Sequence, residues 1–135
     1  MAEERVEFEL VTPERLVISR GVDMVVVPGT EGDFGVLPGH TPMVSTVRPG
    51  VVNVYQGNEI VERMFVAGGF AEVTAARCTV LADRAVAVDE LDRAAAEQTL
   101  KDAREDLADA KTDDARREAD KQIAICEEIL RITGS

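Results

Sequence analysis

Proline and glycine all but stop at Val88. Among the 135 residues, all five prolines, nine of the ten glycines and every aromatic residue precede it, and the one later glycine is Gly134. All three lysines, Lys101, Lys111 and Lys121, come after it. Proline removes a backbone donor and glycine weakens helices, so their density before the break favours turns and short strands. Their absence after it permits long helices. The break predicts an α+β chain with the two classes segregated, β over residues 1–87 and α over 88–135.

In the first region Val6, Phe8 and Leu10 face one way and Glu7 and Glu9 the other, a period of two with one face buried. Thr12-Pro13-Glu14 makes a turn. Leu16 and Ile18 alternate with Arg15 and Ser19, and Val22 to Val27 is almost wholly apolar. The runs Met43 to Val47, Val51 to Tyr55, Ile60 to Val66, Phe70 to Thr74 and Cys78 to Ala82 follow, with turns at Gly57-Asn58 and Gly68-Gly69. Short strands spaced about ten residues apart predict an antiparallel β-sandwich, or flattened barrel.

In the second region Asp89 suits the N-cap of a helix, with Glu90 and Asp92 in its first turn. Ala96, Leu100, Ala103, Leu107 and Ala110 form a narrow stripe that packs on another helix. Thr112 or Asp113 caps the next helix, which carries Ala119, Ile123, Cys126 and Leu130 on one face, broadened by Ile125, Ile129 and Ile132. Glu97–Lys101, Arg116–Asp120 and Glu127–Arg131 stand at i, i+4 on the solvent side. The short connection predicts an antiparallel two-helix hairpin. Alanine buries little area, so Leu100 and Leu107 are its main anchors, and a hairpin with so thin a seam can swing at small cost.

Composition excludes several functions. A net charge of −11 opposes binding to nucleic acid and to anionic lipid headgroups. No apolar run reaches transmembrane length, and the charged start Met1-Ala2-Glu3-Glu4-Arg5 has no signal-peptide pattern, so a soluble, cytosolic protein is expected. Cys78 and Cys126, far apart and without framework spacing, read as reduced thiols used as small apolar residues. One histidine does not make a metal site, and no catalytic set is recognisable: there is no Walker loop, no Gly-x-Ser-x-Gly elbow and no dinucleotide fingerprint.

The stretch from Pro28 to Gly50 holds five glycines, four prolines and His40. Glu31, Asp33 and His40 are the right types for an acid–base cluster, but carboxylates beside glycine turns are commonly exposed. A rigid acidic surface that docks a basic partner loop is the other reading.

The run from Val27 to Pro42, Val-Pro-Gly-Thr-Glu-Gly-Asp-Phe-Gly-Val-Leu-Pro-Gly-His-Thr-Pro, continued by Arg48-Pro49-Gly50-Val51-Val52, closely resembles the signature of the epsilon subunit of bacterial F-type ATP synthase. Val66 to Val73 and Thr79 to Asp83 resemble two further blocks of that family. The resemblance covers the whole sequence. It implies a non-catalytic central-stalk subunit of the rotor, linking the gamma subunit to the c-ring of Fo and coupling proton flow to ATP synthesis. It also implies a peripheral position on the cytoplasmic face of the bacterial inner membrane. The c-ring contact turn of the family maps onto Glu31, Gly32, Asp33 and His40, acidic residues suited to a partner loop with an arginine. The hairpin of many relatives switches between a compact and an extended form, reaching the alpha and beta subunits and inhibiting hydrolysis. No cofactor is required. Some relatives bind ATP through Asp, two variable residues, Arg and Ala; the matching residues here, Asp89 and Arg93, are separated by three. One extra residue turns a helical side chain by about 100°. From Asp89 onward eight basic residues face fourteen acidic ones, which opposes a strong grip on polyphosphate.

Overall fold

The computed structural model describes residues 4–134; the N-terminal Met1-Ala2-Glu3 read above, and Ser135, lie outside them. The described residues divide into two compact units after Val88.

The first unit is a nearly closed sandwich of ten strands: β1 (Val6–Val11), β2 (Leu16–Val22), β3 (Met24–Gly29), β4 (Gly32–Val36), β5 (Met43–Val47), β6 (Gly50–Gln56), β7 (Glu59–Val66), β8 (Gly69–Val73), β9 (Arg77–Ala82) and β10 (Ala85–Ala87). The strands follow the order β10-β7-β6-β3-β5-β8-β9-β1-β2, with β4 paired to β3. The alternation read in β1 holds, since Val6, Phe8 and Leu10 are buried. Together with Val22, Val25, Val27, Val52, Val54, Val66, Val73 and Val80 they fill an aliphatic core between the layers. β-branched residues stand well on a pleated, half-buried surface, which is why a sequence poor in aromatics builds its core this way.

Three features depart from the sequence reading. The apolar run Val22 to Val27 is cut at Asp23, where the backbone leaves its pairing with β1 and begins to pair with β6. The Asp23 carboxylate accepts from the Gly57 backbone N–H at 2.5 Å, which ties this corner to the β6–β7 turn. Gly32–Val36, within the turn-rich stretch, is a strand, and so is the short Ala85–Ala87. One pairing, β1 with β9, is parallel while the others are antiparallel.

The second unit opens with a 3-10 turn, Val88–Glu90, followed by helices α1 (Arg93–Asp109) and α2 (Asp113–Thr133). The N-cap of α1 is Asp92, not Asp89. Its side chain accepts from the Ala95 N–H at 3.0 Å, and no acidic residue occupies the first turn. Asp89 is spent in the 3-10 turn. Thr112 caps α2 by accepting from the Ala115 N–H at 3.0 Å. On α1 the buried residues are Ala96, Leu100 and Ala103, whereas Leu107 is only half-buried and anchors less than its spacing suggests. On α2 they are Ala119, Ile125, Cys126 and Ile129. Across the seam Arg104 pairs with Glu127 at 3.4 Å, and within α2 Arg116 reaches back to Asp113 at 2.5 Å.

Candidate functional site

The acidic turn is built from the sharp reversal between β3 and β4. Gly29 pairs with Gly32, leaving Thr30 and Glu31 at the tip. Gly32 has φ 131°, a conformation that side chains resist, so glycine is required there. Thr46 and Arg48 brace the tip from the β5 side. The Thr30 N–H donates to the Thr46 carbonyl at 3.1 Å, and the two threonine hydroxyls lie 2.7 Å apart. Arg48, just past β5, donates one guanidinium nitrogen to the Gly29 carbonyl at 2.5 Å and the other to the Asp33 carboxylate at 2.6 Å. The Arg48 backbone N–H donates to the Pro28 carbonyl at 2.9 Å. A shallow cleft lined by Thr30 to Phe34 and by Met43 to Thr46 runs beside the turn.

Glu31 is exposed and has no ion-pair or hydrogen-bond partner for its side chain among the described residues. Glu31, Gly32 and Asp33 thus come together on one tip. His40 sits elsewhere. It closes the turn Leu37-Pro38-Gly39-His40, in which the His40 N–H donates to the Leu37 carbonyl at 3.1 Å. Proline second and glycine third, with Gly39 at φ 85°, mark a type II turn. The Gly39 N–H donates to the Ala75 carbonyl at 2.7 Å, which fastens this turn to the loop between β8 and β9. No hydrogen bond or ion pair joins His40 to Glu31 or Asp33 among the described residues; its Nδ1 lies 2.6 Å from the Thr41 carbonyl. An acid–base triad is not assembled.

The sheet to which His40 is fastened carries a feature that the sequence reading missed. Register places Thr46 opposite Phe70, Phe70 opposite Leu81, Leu81 beside Val11 and Val11 opposite Leu16. Phe70, Leu81 and Leu16 are 55%, 51% and 52% exposed, unusual for large apolar side chains. At strand spacings near 4.8 Å the row is roughly 19 Å across. The next row outward reads Val44, Glu72, Thr79, Glu9 and Ser19, so a mostly polar, acidic margin borders the apolar stripe. The signal was present: Phe70 and Leu81 alternate with buried Ala71 and Ala82, which forces them outward. What no single strand shows is that they line up.

The two residues singled out for nucleotide binding are not held together. Asp89 is exposed in the 3-10 turn and makes no hydrogen bond to Arg93 among the described residues. Arg93, the first residue of α1, donates to the Leu130 carbonyl at 3.0 Å and to the Thr133 hydroxyl at 3.4 Å, at the C-terminal end of α2, where a cation suits the helix dipole. No group of three or more metal-ligating side chains occurs among the described residues, and no described helix is long and apolar enough to cross a membrane. Cys78 and Cys126 are free of disulfides and buried.

Comparison with known proteins accounts for both units. Residues 5–88 match the family model of the β-sandwich domain of the ATP synthase delta/epsilon chain, and residues 92–134 match that of the C-terminal domain of the ATP synthase epsilon chain. The ATP synthase epsilon chain of Rhodospirillum centenum is 50% identical over 137 aligned positions, covering 98% of this sequence and 94% of that one. That of Rhodospirillum rubrum is 52% identical, covering 94% and 95%. Among solved structures, one subunit of the Euglena gracilis mitochondrial ATP synthase, OSCP/F1/c-ring assembly, matches with a TM-score of 0.81 at 21% identity, over 98% of this protein and 83% of that subunit. One subunit of the Tetrahymena thermophila mitochondrial ATP synthase central stalk/c-ring matches with a TM-score of 0.74 at 16% identity, over 98% and 99%. With both domains matched in order and half the residues identical to relatives of similar length, the chain belongs to the ATP synthase epsilon chain family.

Proposed function

We propose that the protein is a non-catalytic stalk subunit that joins the gamma subunit to the c-ring and works at the membrane surface through those partners. The apolar row from Leu16 to Phe70 carries this reading. An exposed apolar stripe with a polar margin has the anatomy of a protein interface, because burying it removes apolar area from water while the margin stays hydrated. It is the face offered to gamma, and His40 lies at the end of the same sheet. The acidic tip at Glu31 to Asp33 is a separate, charged contact, suited to the polar loops of the c-ring. The two contacts differ in kind, which fits a subunit gripped firmly by one partner and meeting the other through charge.

Phe70→Asp places a charge at the Phe70 end of the apolar row, on a side chain that is 55% exposed, and leaves the core residues untouched. Co-elution of the purified protein with the gamma subunit is expected to be lost, while the melting temperature of the free protein stays close to that of wild type. Retained co-elution would refute the assignment of this face.

A further inference from the structure

We infer that Arg93 and Gly134 form a clasp that holds the open end of the helical hairpin shut, so that α1 and α2 part only after the Arg93 guanidinium lets go. Neither residue belongs to the two docking contacts. Arg93 is the first residue of α1, and Gly134 is the one glycine after the break at Val88.

Connectivity decides where the hairpin can open. Ala110 to Thr112 joins the helices at one end, so parting begins at the other, where α1 starts and α2 finishes. Arg93 stands at that end. One of its nitrogens donates to the Leu130 carbonyl at 3.0 Å and to the Thr133 hydroxyl at 3.4 Å. The Thr133 hydroxyl donates in turn to the Ile129 carbonyl at 2.8 Å. The guanidinium therefore sits at the negative end of the α2 dipole, and through it the beginning of one helix holds the end of the other. The buried face of α1 adds little grip, because two of its three buried residues, Ala96 and Ala103, are alanines that remove little area from water. Arg93 itself is exposed, so the clasp can be released without unburying the seam.

Gly134 marks the clasp independently. Its backbone, at φ −95° and ψ −6°, lies in the right-handed region open to every residue, so conformation does not call for glycine. Space does. A Cβ on Gly134 would lie 2.5 Å from Arg93 Nη1 and 2.7 Å from the Leu130 carbonyl oxygen, the donor and the acceptor of the same hydrogen bond. The missing side chain leaves the room through which the guanidinium reaches α2.

The test is amide hydrogen exchange on the full protein in solution, resolved by residue. In Arg93→Met, exchange at Ala95 and Ala96 in α1 and across Leu130 to Thr133 in α2 is expected to quicken by about two- to fivefold, the reach of a cation at an exposed helix end. Arg93→Lys keeps the charge without the planar fork and should fall between wild type and Arg93→Met. Gly134→Ala keeps Arg93 but crowds its seat, so it should quicken Ala95 and Ala96, on the other helix, as well as its own neighbours. At Ala95 and Ala96 the double variant, Arg93→Met with Gly134→Ala, should exchange no faster than Arg93→Met, because the bond has already gone. Wild-type exchange at Ala95 and Ala96 in Gly134→Ala would overturn the clasp, since the glycine would then serve only the end of its own helix. Effects of the two substitutions that multiply in the double variant would overturn it as well. So would Arg93→Met that leaves Leu130 to Thr133 unchanged, because the guanidinium would then have no hold on α2.

Discussion

At the scale of single residues, burial decides more than chemistry. Cys78 lies fully inside the sandwich core, and burial raises its thiol from the usual value of 9.0 to about 12. The charged form is penalised because no water or cation reaches the sulfur. Two outcomes follow. Thiol reagents should leave Cys78 unmodified in the folded protein at pH 8 and label it on unfolding, as mass spectrometry would show; labelling at the rate of a free thiol would contradict the burial. The pH dependence of stability also has a fixed sign. The unfolded thiol releases its proton near pH 9 while the folded one holds it, so this contribution is fully present below pH 9 and is lost as pH rises towards 12. One proton corresponds to roughly 1 kcal/mol per pH unit. Denaturant midpoints should fall above pH 9, and Cys78→Ala should reduce the slope. An equally steep fall in Cys78→Ala would assign it to other groups.

At the scale of elements, local rules worked where they had one answer and failed where they had two. The strand β1 alternates without ambiguity and was legible. The start of the first helix was not, because Asp89 and Asp92 are both good caps three residues apart. The choice falls to Asp92, which has extended backbone at φ −106° and ψ 104° and reaches the Ala95 N–H. The consequence is measurable. Asp92→Ala should cost the hairpin about 1 kcal/mol in urea unfolding, and Asp89→Ala much less. Equal losses would return the cap to Asp89. The strand β4 was hidden for a related reason. Gly32, Asp33 and Gly35 are poor strand formers, and only Phe34 and Val36 mark the period of two. What makes it a strand is the tight reversal that lays it on β3. The hairpin seam was legible in kind, thin and rich in alanine, but Leu107 is less buried than the stripe implied.

For the whole molecule, the break near Val88 and the signature from Val27 to Pro42 made the two-part architecture and the family readable before any coordinates. Non-local pairing was not readable. Nothing in β1 or β9 says that they run parallel, and nothing in Val11, Leu16, Phe70 or Leu81 taken alone says that the four share a row. The separation of His40 from Glu31 has the same origin, because it depends on a bond from Gly39 to Ala75, in a distant part of the sequence. The molecule therefore offers two unlike surfaces, an apolar sheet face and a charged tip, instead of one contact turn. On this account the tip transmits force between proton flow and rotation and takes no part in bond making. The most direct test is the number of protons pumped per ATP hydrolysed in membranes whose ATP synthase has been stripped of this subunit and refilled with the purified protein. With Glu31→Lys, a cation would meet a cation at the docking tip, so hydrolysis should persist while pumping per ATP falls below that of wild type. Pumping per ATP equal to that of wild type would contradict the account.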